Sequence, residues 1–284
     1  MEYERKVKFA INLLQSIPTE DGPIEVSYSG GKDSDVILEL AKMAGIPYEA
    51  IYKQTTIDPP GTTAHAKEVG ATIIRPKETF LQLIERKGWP TRRARFCCEV
   101  LKEYKVRDRA IQGIRRSEST ARAKRYKEPE ICRTYPHKEK AKIYLPILDW
   151  TDEDVERFIT ERGIKCHPLY YDENGKFRVE RRLGCLGCPL ASGNGRKDFE
   201  QYPKMLAAWI RAEKKYLETH PNVSAVRKFG NAYNMAYHNL FTNSYEQYLD
   251  RVTGGLFPEN AIDTKKYIED YFGLSVKTNP NSMG

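Results

Sequence analysis

Two sets of residues in this 284-residue chain have types and spacings suited to chemistry. The first is Ser29-Gly30-Gly31-Lys32-Asp33-Ser34. Its glycines allow a tight turn and let backbone N–H groups close around an anion. A helix starting there adds its positive end. Ser29 and Ser34 supply hydroxyl donors, and Lys32 a mobile charge for phosphates. Asp33 has two uses, capping that helix or helping to hold Mg²⁺. The run is not the G-x-x-x-x-G-K-S/T loop. The second set is sulfur: the adjacent Cys97 and Cys98, and the C-x-x-C of Cys185 and Cys188. Four thiolates suit an S₄ site for Zn²⁺ or a 4Fe–4S cluster, and spacing does not separate the two. Cys132 and Cys166 stand apart, as plain thiols or as sulfur carriers.

Elements must place these groups. Apolar spacing predicts a helix over 4–17, and Ile24–Tyr28 reads as a strand running into the glycines. A helix over 34–43 follows, stopped at Gly45. Strands are expected over 48–53, 71–75, 110–114 and 143–147, and helices over 62–69, 80–87 and 101–109. Thr151 opens a helix to Thr160, with Asp154 completing a capping box. Strands alternating with helices predict an α/β fold, a Rossmann-like parallel sheet with helices on both faces. Ligands of such sheets lie beyond the strand C-termini, where loops at Ser29, Thr55 and Gly113 converge. After about residue 160 the pattern becomes helical, over 199–218, 223–251 and 264–272, with a frayed end at 277–284. The expected division is a nucleotide-binding domain over 1–160, and a cluster-binding loop with a helical region over 161–284.

Composition narrows the classes. The hydrophobic fraction is 40% and the charged fraction 30%, as in a globular protein that does not span a membrane. The charged start and the lack of a long apolar run predict a cytoplasmic protein with no membrane partner. A net charge of +8 and a pI of about 9.0 favour an anionic partner: nucleotide, sulfate ester or nucleic acid. Arg115, Arg116, Ser119 and Arg122 read as an anion-reading loop, or as a solvated basic one. Asp58, in Asp-Pro-Pro, faces the nucleotide or only shapes its loop. Basic residues interleaved with tyrosines after residue 200 suit nucleic acid, or a helical core.

The separated motifs resemble the phosphoadenylyl-sulfate reductase-like family of PP-loop ATP pyrophosphatases. They are SGGKDS at 29–34, Thr55 to Pro60, Arg95 to Lys102, Gly113 to Arg122, Leu145 to Trp150, His167 to Tyr170, and Gly184 to Pro189. That family includes sulfonucleotide reductases, tRNA thiolation enzymes and sulfurtransferases of DNA phosphorothioation. The resemblance implies a 4Fe–4S cluster on Cys97, Cys98, Cys185 and Cys188, with Zn²⁺ less favoured. It also points away from the reductases. Their nucleophilic cysteine lies in a C-terminal E-C-G-L-H motif, and no cysteine follows Cys188 here. They tend to lack the loop lysine, which is present as Lys32.

The function expected is therefore an adenylating sulfurtransferase that splits ATP, with Mg²⁺, into AMP and pyrophosphate. Lys32, Asp33, Arg115 and Arg116 are the expected catalytic residues. Ser29, Gly30, Gly31, Lys32, Asp33, Ser34, Thr55, Asp58, Gly113, Ser119 and Arg122 are expected at the nucleotide. The expected partners are tRNA or DNA as acceptor, a sulfur donor such as a cysteine desulfurase, and further copies of the chain. The alternatives are a sulfonucleotide reductase using an external thiol and a non-catalytic nucleotide-binding module.

Overall fold

Strand β1 (Ile24–Tyr28) runs directly into the glycine turn, in a computed structural model that describes residues 2–135 and 140–274. The other strands are β2 (Tyr48–Lys53), β3 (Thr72–Ile74), β4 (Arg109–Ile111), β5 (Glu130–Thr134) and β6 (Lys140–Tyr144). Helices α1 to α5 are Tyr3–Gln15, Lys32–Ala44, Thr62–Glu68, Phe80–Lys87 and Phe96–Leu101. Helices α6 to α9 are Thr120–Arg125, Asp152–Arg162, Arg196–Gln201 and Pro203–Thr219. Helices α10 to α13 are Ser224–Phe229, Ala232–Phe241, Tyr245–Thr253 and Thr264–Tyr271. The chain packs as two units, Met1–Lys77 with Cys98–Cys185, and Glu78–Cys97 with Leu186–Gly284.

The first unit is a Rossmann-like α/β sheet in the order β3-β2-β1-β4-β6-β5. Its strands are parallel except β5, which pairs antiparallel with β6 as an edge strand. The order reverses between β1 and β4, and ligands of such sheets usually lie beyond the strand C-termini at that switch point. β1 is buried on both faces, and α2 lays Val36, Ile37, Leu40, Ala41 and Ala44 into the core. α2 stops at Gly45, whose φ of 67° closes the helix in the left-handed region. Thr151 and Asp154 form the expected capping box of α7.

The second unit is helical. Trp209 of α9 packs its ring 4.6 Å from Phe80, 4.9 Å from Trp89 and 5.2 Å from Phe199. The expected long helices are divided. Tyr202 precedes Pro203 and leaves the helical region, as residues before proline do, so α8 and α9 are separate. The side chains of Asn231 and Ser244 cap new helices, which splits 223–251 into α10, α11 and α12.

Three other expectations shift. The helix placed over 101–109 lies instead at 96–101. Lys102 and Glu103 both return their N–H to the Cys98 carbonyl, and Lys105 turns to a φ of 47°. The strand placed over 143–147 ends at Tyr144, because Pro146 has no N–H for a ladder. The strand placed over 110–114 ends at Ile111. Residues 277–284 lie outside the described residues.

Candidate functional site

The glycine turn follows β1 at the point where the sheet order reverses. α2 begins at Lys32, with Gly31 in extended conformation as its N-cap and no side chain capping it. The Ser34 hydroxyl donates to the Gly31 carbonyl at 2.6 Å, and the Ser29 hydroxyl lies 3.3 Å from that of Ser34. Gly30 has a φ of 78°, and a Cβ there would stand 2.7 Å from Thr62 Cγ2. Any other residue there would be strained at that φ and would have to push the Thr62 side chain aside. The turn thus sits at a helix N-terminus, at the C-terminal end of a central strand, the usual setting for binding a phosphate.

Charge around the turn is paired. The Arg115 Nε donates to Asp33 Oδ1 at 2.6 Å, and a terminal nitrogen donates to Asp152 at 2.8 Å. Its other terminal nitrogen reaches the Ser117 hydroxyl at 3.0 Å, and Arg115 is only 2% exposed. Gly113 lets this clamp close: a Cβ there would stand 2.8 Å from the Asp33 carbonyl oxygen. Lys32 is buried, with Nζ 3.8 Å from Asp33 Oδ2 and 3.3 Å from the Arg181 carbonyl. Burial pulls its pKa down and outweighs the nearby Asp33 charge. Arg116 pairs with Asp149 and donates to the carbonyls of Tyr126 and Lys127. Ser119 caps α6, and Arg122 pairs with Glu118.

The Thr55 loop follows β2 at the same edge of the sheet. Asp58 accepts the Thr55 N–H at 2.7 Å, which closes the loop. Thr56 has a φ of 66°, rare for a β-branched residue and of the kind that clusters at functional sites. A cavity of about 270 Å³ opens here, lined by Gln54, Thr56, Asp58, Pro59 and Pro60 among others.

Behind the turn lies a network that sequence reading missed. Asp35 is buried and accepts from the Tyr28 hydroxyl at 2.5 Å, with His65 Nε2 at 3.0 Å. Burial pushes the Asp35 pKa up, although the His65 hydrogen bond opposes it. His65 itself is raised: burial works against its charge, and the Asp35 bond and field overcome it. Cys166 is buried here too, and burial, then Asp35, push its thiol pKa up. That favours an inert, protonated thiol. Asp35, His65 and Cys166 are far apart in sequence, and only the fold brings them together. The available signal was a carboxylate on the core side of α2.

Residues 23–191 match the family model described as the phosphoadenosine phosphosulfate reductase domain. The chain belongs to this family. An uncharacterized protein of Methanocaldococcus jannaschii is 29% identical over 236 residues, 77% of this chain and 46% of that protein. Sulfate adenylyltransferase subunit 2 of Shewanella pealeana is 27% identical over 230 residues, 66% of this chain and 75% of that protein. Among solved structures, the U34-tRNA thiolase NcsA of Methanococcus maripaludis with its 4Fe–4S cluster is 15% identical. It covers 78% of this chain and 82% of that chain, with a TM-score of 0.41. The chain spans about half the length of several curated relatives it matches.

Within this phosphoadenosine phosphosulfate reductase family member, Cys97, Cys98, Cys185 and Cys188 are half-buried, and none is in a disulfide. Cys98 and Cys185 belong to the sheet unit, Cys97 and Cys188 to the helical unit. The Cys185 thiol lies 3.5 Å from the Thr55 hydroxyl. Cys185 most strongly, then Asp58 and Cys98, hold the pKa of Lys102 up. Among the described residues, no group of three or more His, Cys, Asp or Glu side chains is gathered to hold a metal ion. Cys132 is exposed on β5. Among the described residues, no helix is long and apolar enough to cross a membrane.

Proposed function

We propose that this family member is an ATP-dependent adenylating sulfurtransferase of the cytoplasm, forming AMP and pyrophosphate. The observation that carries this reading is Lys32, at the start of α2, where the sheet order reverses. A lysine and a helix N-terminus at that point suit a β,γ-pyrophosphate. The adenylyltransferase named among its relatives supports attack at the α-phosphorus of ATP.

In this reading residues 29–34 take the triphosphate, which enters with Mg²⁺ on its oxygens. Thr55, Asp58, Gly113, Ser119 and Arg122 surround the nucleotide. An acceptor oxygen attacks the α-phosphorus, and the α–β bridging bond breaks to release pyrophosphate. Lys32 neutralises the leaving charge, and positioning does most of the rest. Asp33 and Arg115 hold each other and set the loop, and Arg116 faces the leaving charge only once it leaves its pair with Asp149. Hydrosulfide, released from the donor's persulfide by a reducing thiol, then attacks the activated atom of the acceptor, and that atom's bond to the AMP oxygen breaks. A tRNA or DNA acceptor is supported by the excess of basic residues, and a desulfurase-type donor and assembly with further copies complete the proposal.

The four cysteines are the proposed ligands of an iron–sulfur centre, and the proposed division stays a nucleotide-binding domain over 1–160 and a cluster-binding loop with a helical region over 161–284. The support is the donor chemistry, four unoxidised thiols in two pairs. The test is pyrophosphate release from ATP. Lys32→Ala should slow it at least ~100-fold, the order seen when one charge-stabilising donor is lost. An unchanged rate would sink the assignment.

A further inference from the structure

A segment of the sheet unit lies on the glycine turn, and one tyrosine ties the two together. The Tyr170 hydroxyl accepts the Lys32 N–H at 3.2 Å and the Leu183 N–H at 3.3 Å. Lys32 Nζ donates to the Arg181 carbonyl and lies 5.4 Å from the centre of the Tyr170 ring. The contact is close: a Cβ on Gly31 would stand 3.4 Å from the Tyr170 hydroxyl, and one on Gly30 3.4 Å from Leu183 Cδ2. The segment is braced within itself. Arg181 donates to the carbonyls of Leu169 and Tyr171 at 3.2 and 2.7 Å. The Arg178 N–H reaches the Tyr170 carbonyl at 2.8 Å, and the Phe177 ring packs 5.8 Å from that of Tyr170.

The donors held by this segment are the ones a phosphate would take. One is the first N–H of α2, the other the loop ammonium. A phosphate group that draws Lys32 toward itself removes two anchors of the segment at once, and the Tyr170 hydroxyl loses one of its two partners. Leu183, the other partner, is two residues from Cys185. We propose that Tyr170 is a positioning residue that couples phosphate binding on the loop to release of the strap 169–183, and so to the setting of Cys185. This rests on the reading of residues 29–34 as a nucleotide phosphate site, and it adds a regulation that reading does not contain.

Amide hydrogen exchange on the full chain, with and without Mg²⁺ and ATP, tests the coupling. In the wild type, ATP should slow exchange in peptides covering 28–36 and speed it in peptides covering 178–185 about tenfold, as two modest hydrogen bonds are lost. Tyr170→Phe keeps the ring and removes the acceptor. Its strap peptides should exchange faster from the outset and respond less to ATP, since only the Lys32–Arg181 anchor is left for the nucleotide to remove, while protection of the loop by ATP persists. If ATP protects the loop of the wild type and leaves 178–185 unchanged, the coupling is wrong and the nucleotide site stands. If ATP changes neither peptide, the nucleotide reading fails and the coupling with it. A strap in Tyr170→Phe that still responds as in the wild type also overturns the proposal.

Discussion

The two units bury charge in opposite ways. Beside the glycine turn, the guanidinium of Arg115 is sealed between Asp33 and Asp152, with Ser117 filling a further donor. In the helical unit, the carboxyl of Glu213 on α9 is fully buried, and among the described residues neither oxygen takes a hydrogen bond of ordinary geometry. Burial pushes its pKa up to about 7, against a smaller pull from the backbone of Trp89. A paired charge keeps its protonation state across neutral pH and can hold a site in register. A lone buried carboxyl yields its charge instead, so stability becomes sensitive to pH. The Arg115 clamp is thus electrostatically settled, and the helical packing is conditional.

The largest effect expected from this contrast is at Glu213. Its folded pKa lies above the ordinary carboxylate value, so its contribution is fully present below about pH 4.5 and is lost as pH rises toward 7. Between pH 5 and 8 the wild type should lose roughly 2–3 kcal/mol of stability that Glu213→Gln retains, from the linkage of a shifted pKa to folding. Denaturant unfolding followed by tryptophan fluorescence reads this well, because Trp89 and Trp209 both belong to the helical unit. Parallel pH profiles for the two proteins would remove the contrast.

Arg115→Ala comes next, at about 2 kcal/mol, because it strands two carboxylates that share one partner. Asp152 is half exposed and Asp33 mostly covered, so the loss stays below that of a fully buried pair. Arg115→Lys should recover part of it, since one ammonium cannot serve both carboxylates with the fork geometry. Equal losses in both variants would show that bulk charge suffices. The smallest effect concerns Cys166. Alkylation of the folded chain at pH 8 should modify exposed Cys132 well before Cys166, and a fast-reacting Cys166 would show that the pocket behind the turn opens.

Much of this contrast was legible in the sequence wherever chemistry is local. β1, β2 and α4 fall where strand patterning, helical periodicity and glycine stops place them, and the Thr151–Asp154 box is read from two residues. The turn at 29–34 is legible because glycine, lysine and serine each have a local use there. The partners of its charges are not. Asp33 meets Arg115 over 82 positions, and Asp35 meets His65 over 30. Nothing within either segment distinguishes a clamped arginine from one facing a phosphate. The helix placed over 101–109 failed for a related reason: its residues suit a helix, but the chain must leave α5 early to enter β4. Glu213 was hidden because a glutamate among Lys214 and Lys215 reads as a solvated face.

The central claim is that the turn after β1 holds the phosphates of a nucleotide. Calorimetric titration of Mg²⁺ and ATP into the wild type and Gly30→Ala tests it most directly. The added methyl group meets Thr62 at 2.7 Å on a backbone with a φ of 78°, so the turn must deform while the core strands stay in place. The account predicts saturable binding to the wild type and at least ~10-fold weaker binding to the variant, the cost of about 1.4 kcal/mol of lost fit. Equal affinity in two folded proteins would contradict it.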